Sequence, residues 1–223
     1  MAQVREINDI GKLVHYRLLW RHLLSQTRQA GFFQSQDWLE VFWKHYGQGR
    51  KLRVLIVYDG NEALGILPLV VQSEYTKAGN VRVLTYPLDG WGSFFGPVGP
   101  NPTLTLRAAM KHIRNTPRDW DLLDLRWVNQ NQTDHGRTEH GMRAAGLTPA
   151  GQPWAQSAII ELDDCWETYW GNRSLKFRKK LRRSYRQLEK MGRVKFVRYR
   201  PGGLAVGDGA PRFDLFDAAV SVA

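Results

Sequence analysis

Leu52-Arg53-Val54-Leu55-Ile56-Val57-Tyr58-Asp59-Gly60-Asn61-Glu62-Ala63-Leu64-Gly65-Ile66-Leu67-Pro68-Leu69-Val70-Val71 is two apolar runs joined by a short polar break. Residues 52–58 have the β-branched and apolar composition of a strand. Asp59-Gly60 is a hairpin signal, and residues 63–71 return as the partner strand. The fold must be built around this pair.

Upstream, residues 4–7 read as a short strand, and Asn8 or Asp9 can cap a helix running to about residue 27. Its apolar positions Leu13, Leu18, Leu19, Leu23 and Leu24 approximate one face. Ser35 can cap a second helix, in which Trp38, Leu39, Phe42, Trp43 and Tyr46 recur at helical spacing before Gly47 ends it.

Downstream, residues 81–86 form another strand, followed by a loop crowded with Gly, Pro and aromatics through Pro100. Such a loop either binds a ligand or plugs the end of the sheet with Trp91, Phe94 and Phe95. A helix over 101–114, a strand over 120–128, a helix over 133–145 and a strand over 156–162 continue an alternating pattern. Asp163 and Asp164 then cap a helix carrying Trp166, Tyr169 and Trp170. A basic helix runs to Met191, residues 194–199 form a strand, and 214–222 begin another helix. The fold class is α/β, an α+β mixed sheet holding an antiparallel hairpin and later αβ units, with helices on both faces. Residues 1–200 read as one domain that includes the basic connecting helix 173–191. The Gly-rich stretch 201–211 reads as a linker, and 212–223 as the start of a truncated second domain.

Charge is concentrated in one place. Of the twenty-eight residues 173–200, thirteen are Lys or Arg and only Glu189 opposes them, leaving nineteen basic and twenty acidic residues elsewhere. The pI near 10.0 is therefore local, and the segment is a footprint for an anionic partner. Phe177, Leu181, Ser184, Leu188 and Met191 make one stripe of this helix, with the charges around its other sides. A solvated face normally mixes signs to gain pairs four residues apart.

Other chemistry is sparse. The lone Cys165 permits no intramolecular disulfide or thiolate metal site and reads as a small buried apolar residue. His135 and His140 fall about 140° apart on a helix, so they cannot share a metal. His15, His22, His45 and His112 have no partnered carboxylates at ligand spacing and read as structural or surface residues. Asp89 precedes Gly90 and reads as a turn residue, so no catalytic base is assigned. No early apolar run signals export and none is long enough to span a membrane, so the chain reads as cytoplasmic.

Three motifs in order resemble a known group of enzymes. Phe33-Gln34-Ser35-Gln36-Asp37-Trp38 resembles the F-x-Q-S-x-x-W opening of Fem-type aminoacyltransferases, and Phe95-Gly96-Pro97-Val98 their G-P-[VL] segment. Ser174 to Arg183, with Gly192-Arg193-Val194-Lys195-Phe196 behind it, resembles a stretch of the Fem-related, CelD-like acetyltransferases of polysaccharide synthesis. Pro68 in Gly65-Ile66-Leu67-Pro68-Leu69 fits their G-x-L-P-L strand.

The resemblance implies a GNAT-like, acyl-CoA N-acyltransferase-like domain, with a second such domain needed for a complete enzyme. It implies acetyl-CoA or another acyl-CoA as donor for that enzyme, and an anionic small-molecule or glycan-precursor acceptor. Trp38 and Phe95 would line the acceptor groove, and Arg182, with Arg178 and Arg186 on its face, would hold a diphosphate or other anion. Arg200-Pro201-Gly202-Gly203-Leu204-Ala205 matches the R-x-x-G-x-A spacing of a pyrophosphate loop. Pro201 has no amide hydrogen, however, and the next helix starts only near Pro211, so the stretch reads as linker. The alternative is a non-catalytic module that binds nucleic acid, such as tRNA, through the basic helix.

Overall fold

The computed structural model describes residues 2–77, 79–88, 95–156, 165–200 and 209–222. The chain divides into two units, Met1–Gln156 and Ser157–Ala223, so the hairpin and the basic helix belong to different units. Among the described residues no helix is long and apolar enough to cross a membrane.

The first unit is a five-stranded mixed sheet in the order β1-β2-β3-β4-β5. The expected hairpin is its centre: β2 (Lys51–Asp59) pairs antiparallel with β3 (Glu62–Thr76). Gly60 turns it with a φ of 57°, which a residue bearing a Cβ rarely adopts. β1 (Gln3–Ile7) lies antiparallel on β2, and β4 (Gly79–Thr85) on β3. Residues 52–57 of β2 and 64–71 of β3 are buried without alternation, so both faces of the hairpin are covered.

The cover comes from helices. Asp9 caps as expected, its Oδ1 accepting from the Gly11 N–H at 2.8 Å. The helix begins as a 3-10 segment, Ile10–Tyr16, and becomes regular only in α1 (Arg17–Ser25). α2 (Gln36–Tyr46) starts at Ser35, whose Oγ accepts from the Trp38 N–H at 3.1 Å. Arg17 joins the two helices by reaching Asp37 at 2.9 Å and Glu40. α3 (Pro102–Asn115) lies against β1, β2 and β3 and carries the chain to β5 (Leu122–Leu123), parallel to β4.

Several expectations are corrected. The strand expected over 120–128 pairs only at Leu122–Leu123, because Trp127 takes a φ of 63° and its carbonyl turns to accept from the Phe95 N–H. The helix expected over 133–145 is broken by left-handed backbone at His135 and Gly136, leaving a π-turn at Gln130–Asp134 and then α4 (Arg137–Ala144). In the second unit, α5 (Trp166–Gly171) is capped by Cys165, whose Sγ faces the Thr168 N–H. Cys165 is therefore exposed and not a buried apolar residue. The basic helix α6 (Leu175–Met191) starts at Ser174, and α7 (Phe213–Ser221) fulfils the expected final helix. Residues 194–199 are not a strand, since none of the unit's described residues supplies a ladder. The strand at 156–162, the caps at Asp163 and Asp164, Asp89, Trp91, Phe94 and most of the expected linker lie outside the described residues.

α3 can approach the sheet because β3 carries a glycine beneath it. A Cβ on Gly65 would stand 2.3 Å from Thr105 Oγ1 and 2.8 Å from the Val98 carbonyl. Gly65→Ala should cost about 1–3 kcal/mol in urea unfolding. Adding Thr105→Ala should recover part of it, because only the Thr105 clash is then removed.

Candidate functional site

The sheet opens at the end of β4. β4 and β5 pair only at Val83–Leu122 and Leu84–Leu123, with the Asp124 N–H donating to the Leu84 carbonyl at 3.0 Å, and then part. β4 stops at Thr85 opposite Val70, and the next ladder contact on that edge of β3 is Ile66 with Val98. Among the described residues no strand pairs with the interval 67–69 on this side. Pro68 sits in it. Ile66 exchanges both hydrogen bonds with Val98 at 2.8 Å, so two residues on the missing N–H of Pro68 falls on the same unpaired edge.

The first two sequence motifs frame this opening. Trp38 Nε1 donates to the Pro87 carbonyl at 3.1 Å, directly after the point where β4 ends. Gln34 Nε2 reaches the carbonyls of Gly96 and Pro97, each at 3.5 Å, while its own carbonyl accepts from Trp20 Nε1 at 2.9 Å. Phe33 of the first motif touches both its own Trp38 and the second motif, with ring centroids 4.9 Å from Trp38 and 5.8 Å from Phe95. Phe95 in turn packs on Tyr86 at 5.5 Å.

Trp38 and Phe95, which the resemblance would place along an acceptor groove, both pack on Phe33 and are buried, at 3% and 1% exposure. Their burial follows from position: α2 presents Trp38 toward Pro87, whose carbonyl its indole meets, and toward the rings of Phe32, Phe33 and Phe42. Arg178, Arg182 and Arg186 lie at four-residue spacing on α6 of the other unit; Arg178 is half-buried and the other two are exposed.

Two hydroxyls near the end of β4 lack partners among the described residues. Thr85 Oγ1 and Tyr86 Oη are buried with no hydrogen-bonded neighbour there. A buried polar group in that condition costs about 1–3 kcal/mol. Burial, with the Asp134 charge as a smaller cause, pushes the Tyr86 phenol far above its ordinary ionisation range. It remains a neutral donor. Asp134 itself holds the start of α4, accepting from the Thr138 N–H at 3.0 Å and the Thr138 hydroxyl at 2.6 Å.

No family model matches the chain. No curated protein matches it either. Among solved structures, a possible acetyltransferase from Clostridium difficile 630 is similar over 72% of this chain and 99% of its own, at 12% identity and a TM-score of 0.40. A likeness that slight carries no argument about fold or activity.

A second set of charged groups went unseen in the sequence. Glu6 of β1 accepts from Arg53 of β2 through both oxygens, at 2.7 and 2.9 Å, and meets His112 Nε2 of α3 at 2.7 Å. Arg53 also reaches Thr116 at 3.1 Å and Asp119 at 3.3 Å. These residues line a cleft of about 650 Å³ with Asn8, Trp43, Arg50 and Lys51. His112, expected to be a structural or surface residue, is partnered by a carboxylate 106 residues away. The Glu6 carboxyl is pushed up by burial, but the hydrogen bonds from Arg53 and His112 outweigh this and hold it below its ordinary value of 4.5. Among the described residues no group of three or more His, Cys, Asp and Glu could hold a metal ion.

The network is a stabilising clamp with a defined pH signature. The folded pKa of Glu6 lies below the unfolded one, so its contribution is complete above about 4.5 and is lost as pH falls toward the depressed value. Glu6→Gln should lower stability at neutral pH by roughly 3 kcal/mol, since it takes the two-oxygen carboxylate from buried Arg53 and leaves it only Asp119 at 3.3 Å. Urea unfolding should also show that the variant's stability declines less than the wild type's between neutral pH and pH 4.

Proposed function

We propose that this chain is part of an acyltransferase related to the GNAT and Fem-type enzymes. It would transfer an acyl group to an amine or hydroxyl of an anionic cell-envelope or exopolysaccharide precursor. The observation that carries the reading is the meeting of the two motifs, Phe33 to Trp38 and Phe95 to Val98, around the parted end of β4. Motifs chosen on sequence alone would have no reason to touch if each were an accident of composition.

The chemistry fits what the opening offers. An acyl-CoA, when bound, supplies a thioester-activated acyl group. Transfer places negative charge on the acyl oxygen, and fixed donors in a dry site stabilise such charge far better than water does. Tyr86 brings a buried hydroxyl with no other partner among the described residues, and burial keeps it protonated and able to donate. In the second unit, taken by itself, Arg178, Arg182 and Arg186 share one side of α6 at a spacing suited to the oxygens of a diphosphate group. A tRNA-binding module is the second reading, favoured by the eight Lys and Arg of α6. Its affinity would fall steeply with salt and ignore acyl-CoA.

Tyr86→Phe separates catalysis from folding. Removing a buried hydroxyl that has no partner should leave the melting temperature unchanged or slightly higher. Acyl-CoA-dependent thiol release in the presence of amino-sugar acceptors should fall about 100-fold. Measured in the complete enzyme with its second domain, thiol release equal to that of the wild type would sink the role given to Tyr86, and the absence of any acyl-CoA-dependent thiol release would sink the acyltransferase reading.

A further inference from the structure

α6 has two faces of different chemistry. Phe177, Leu181, Tyr185, Leu188 and Met191, with Ser184 among them, fall within an arc of about 120°. The eight Lys and Arg occupy the remaining arc with Glu189, Gln187 and Leu175. The five apolar side chains are between 42% and 85% exposed, so the stripe that the sequence marks for packing is not packed. A lone exposed Leu is ordinary; a whole helical stripe of aromatic and aliphatic side chains is an interaction surface.

The charge decides what covers it. We propose that α6 lies flat on the surface of an anionic lipid bilayer, its apolar arc at the acyl-chain boundary and its Lys and Arg among the headgroup phosphates. Strong amphipathicity, low overall hydropathy, a Lys- and Arg-rich polar face and an apolar face of Phe, Leu, Tyr and Met are the features of an interfacial helix. Seventeen residues span only about 25 Å, and charge on most of the circumference forbids insertion across the bilayer. A second copy would bring two strongly positive helices together. A nucleic acid would neutralise the charges but leave the apolar arc in water, whereas an anionic bilayer satisfies both faces at once. This inference does not depend on the acyltransferase reading.

The test is flotation of the whole chain with vesicles of phosphatidylcholine alone or with one third phosphatidylglycerol, at low and high salt. The chain should float with the anionic vesicles and bind them at least about tenfold more tightly than neutral ones, the difference shrinking at high salt. Phe177→Glu with Leu181→Glu should lose most binding to anionic vesicles at low salt. Ser184→Leu, which fills the polar gap in the apolar arc, should strengthen binding about tenfold, a gain that misfolding cannot mimic. The proposal is overturned if anionic vesicles are not bound, or if Ser184→Leu leaves vesicle affinity unchanged. It is equally overturned if tRNA or an acidic protein binds better than the vesicles while the double Glu variant still floats.

Discussion

Burial of the β2–β3 hairpin on both faces is the constraint that orders the first unit. Fourteen consecutive-run positions, six in β2 and eight in β3, are closed to solvent, and each large apolar side chain among them contributes about 1.5–3 kcal/mol only while something covers it. A hairpin alone can cover neither of its faces. The chain therefore has to bring helices over both, and α3 reaches its place only because Gly65 offers no Cβ to Thr105. The one charge inside this run, Arg53, imposes a second demand. It must find a carboxylate, and Glu6 on the neighbouring strand supplies both oxygens. Strand β1 thus serves as more than an added edge, since it neutralises the hairpin's buried cation.

What could be read beforehand follows from the range of the interactions concerned. The hairpin, the caps at Asp9 and Ser35 and the start of α6 depend on residues a few positions apart, and all appear where the spacing places them. The clamp on His112 was illegible because its carboxylate lies 106 residues away, and no periodicity encodes that separation. The long strand expected at residues 120–128 failed for a subtler reason. Its composition is that of a strand, but a strand needs a continuous neighbour, and β4 ends at Thr85 while Trp127 turns toward Phe95. Gly136 was a visible signal of a break in the helix beyond, and the left-handed pair His135-Gly136 makes that break.

The candidate site shows a related division between place and role. The motifs meet, in that Trp38 and Phe95 both pack on Phe33 at one end of the sheet. Aromatic residue type does not distinguish a groove wall from a core plug, and here both side chains are plugs. The polar atoms left over are the Thr85 and Tyr86 hydroxyls, which composition alone gave no reason to single out. Gln34 and Trp38 spend their polar groups on the loop, whereas these two hydroxyls spend theirs on nothing.

Burial and periodicity part company in the second unit. In the first, apolar runs are apolar because neighbouring elements cover them, and the interior sets the sequence. In α6 the apolar arc is just as regular, yet the surrounding arc is cationic and the stripe stays in water. Folding alone does not favour that arrangement. Eight like charges on a seventeen-residue helix repel one another, and an exposed Phe177 or Leu188 gains nothing from the hydrophobic effect. Both costs vanish against a surface that is anionic at one depth and apolar just below it. The sequence of α6 is therefore better explained by what it meets than by the unit it belongs to.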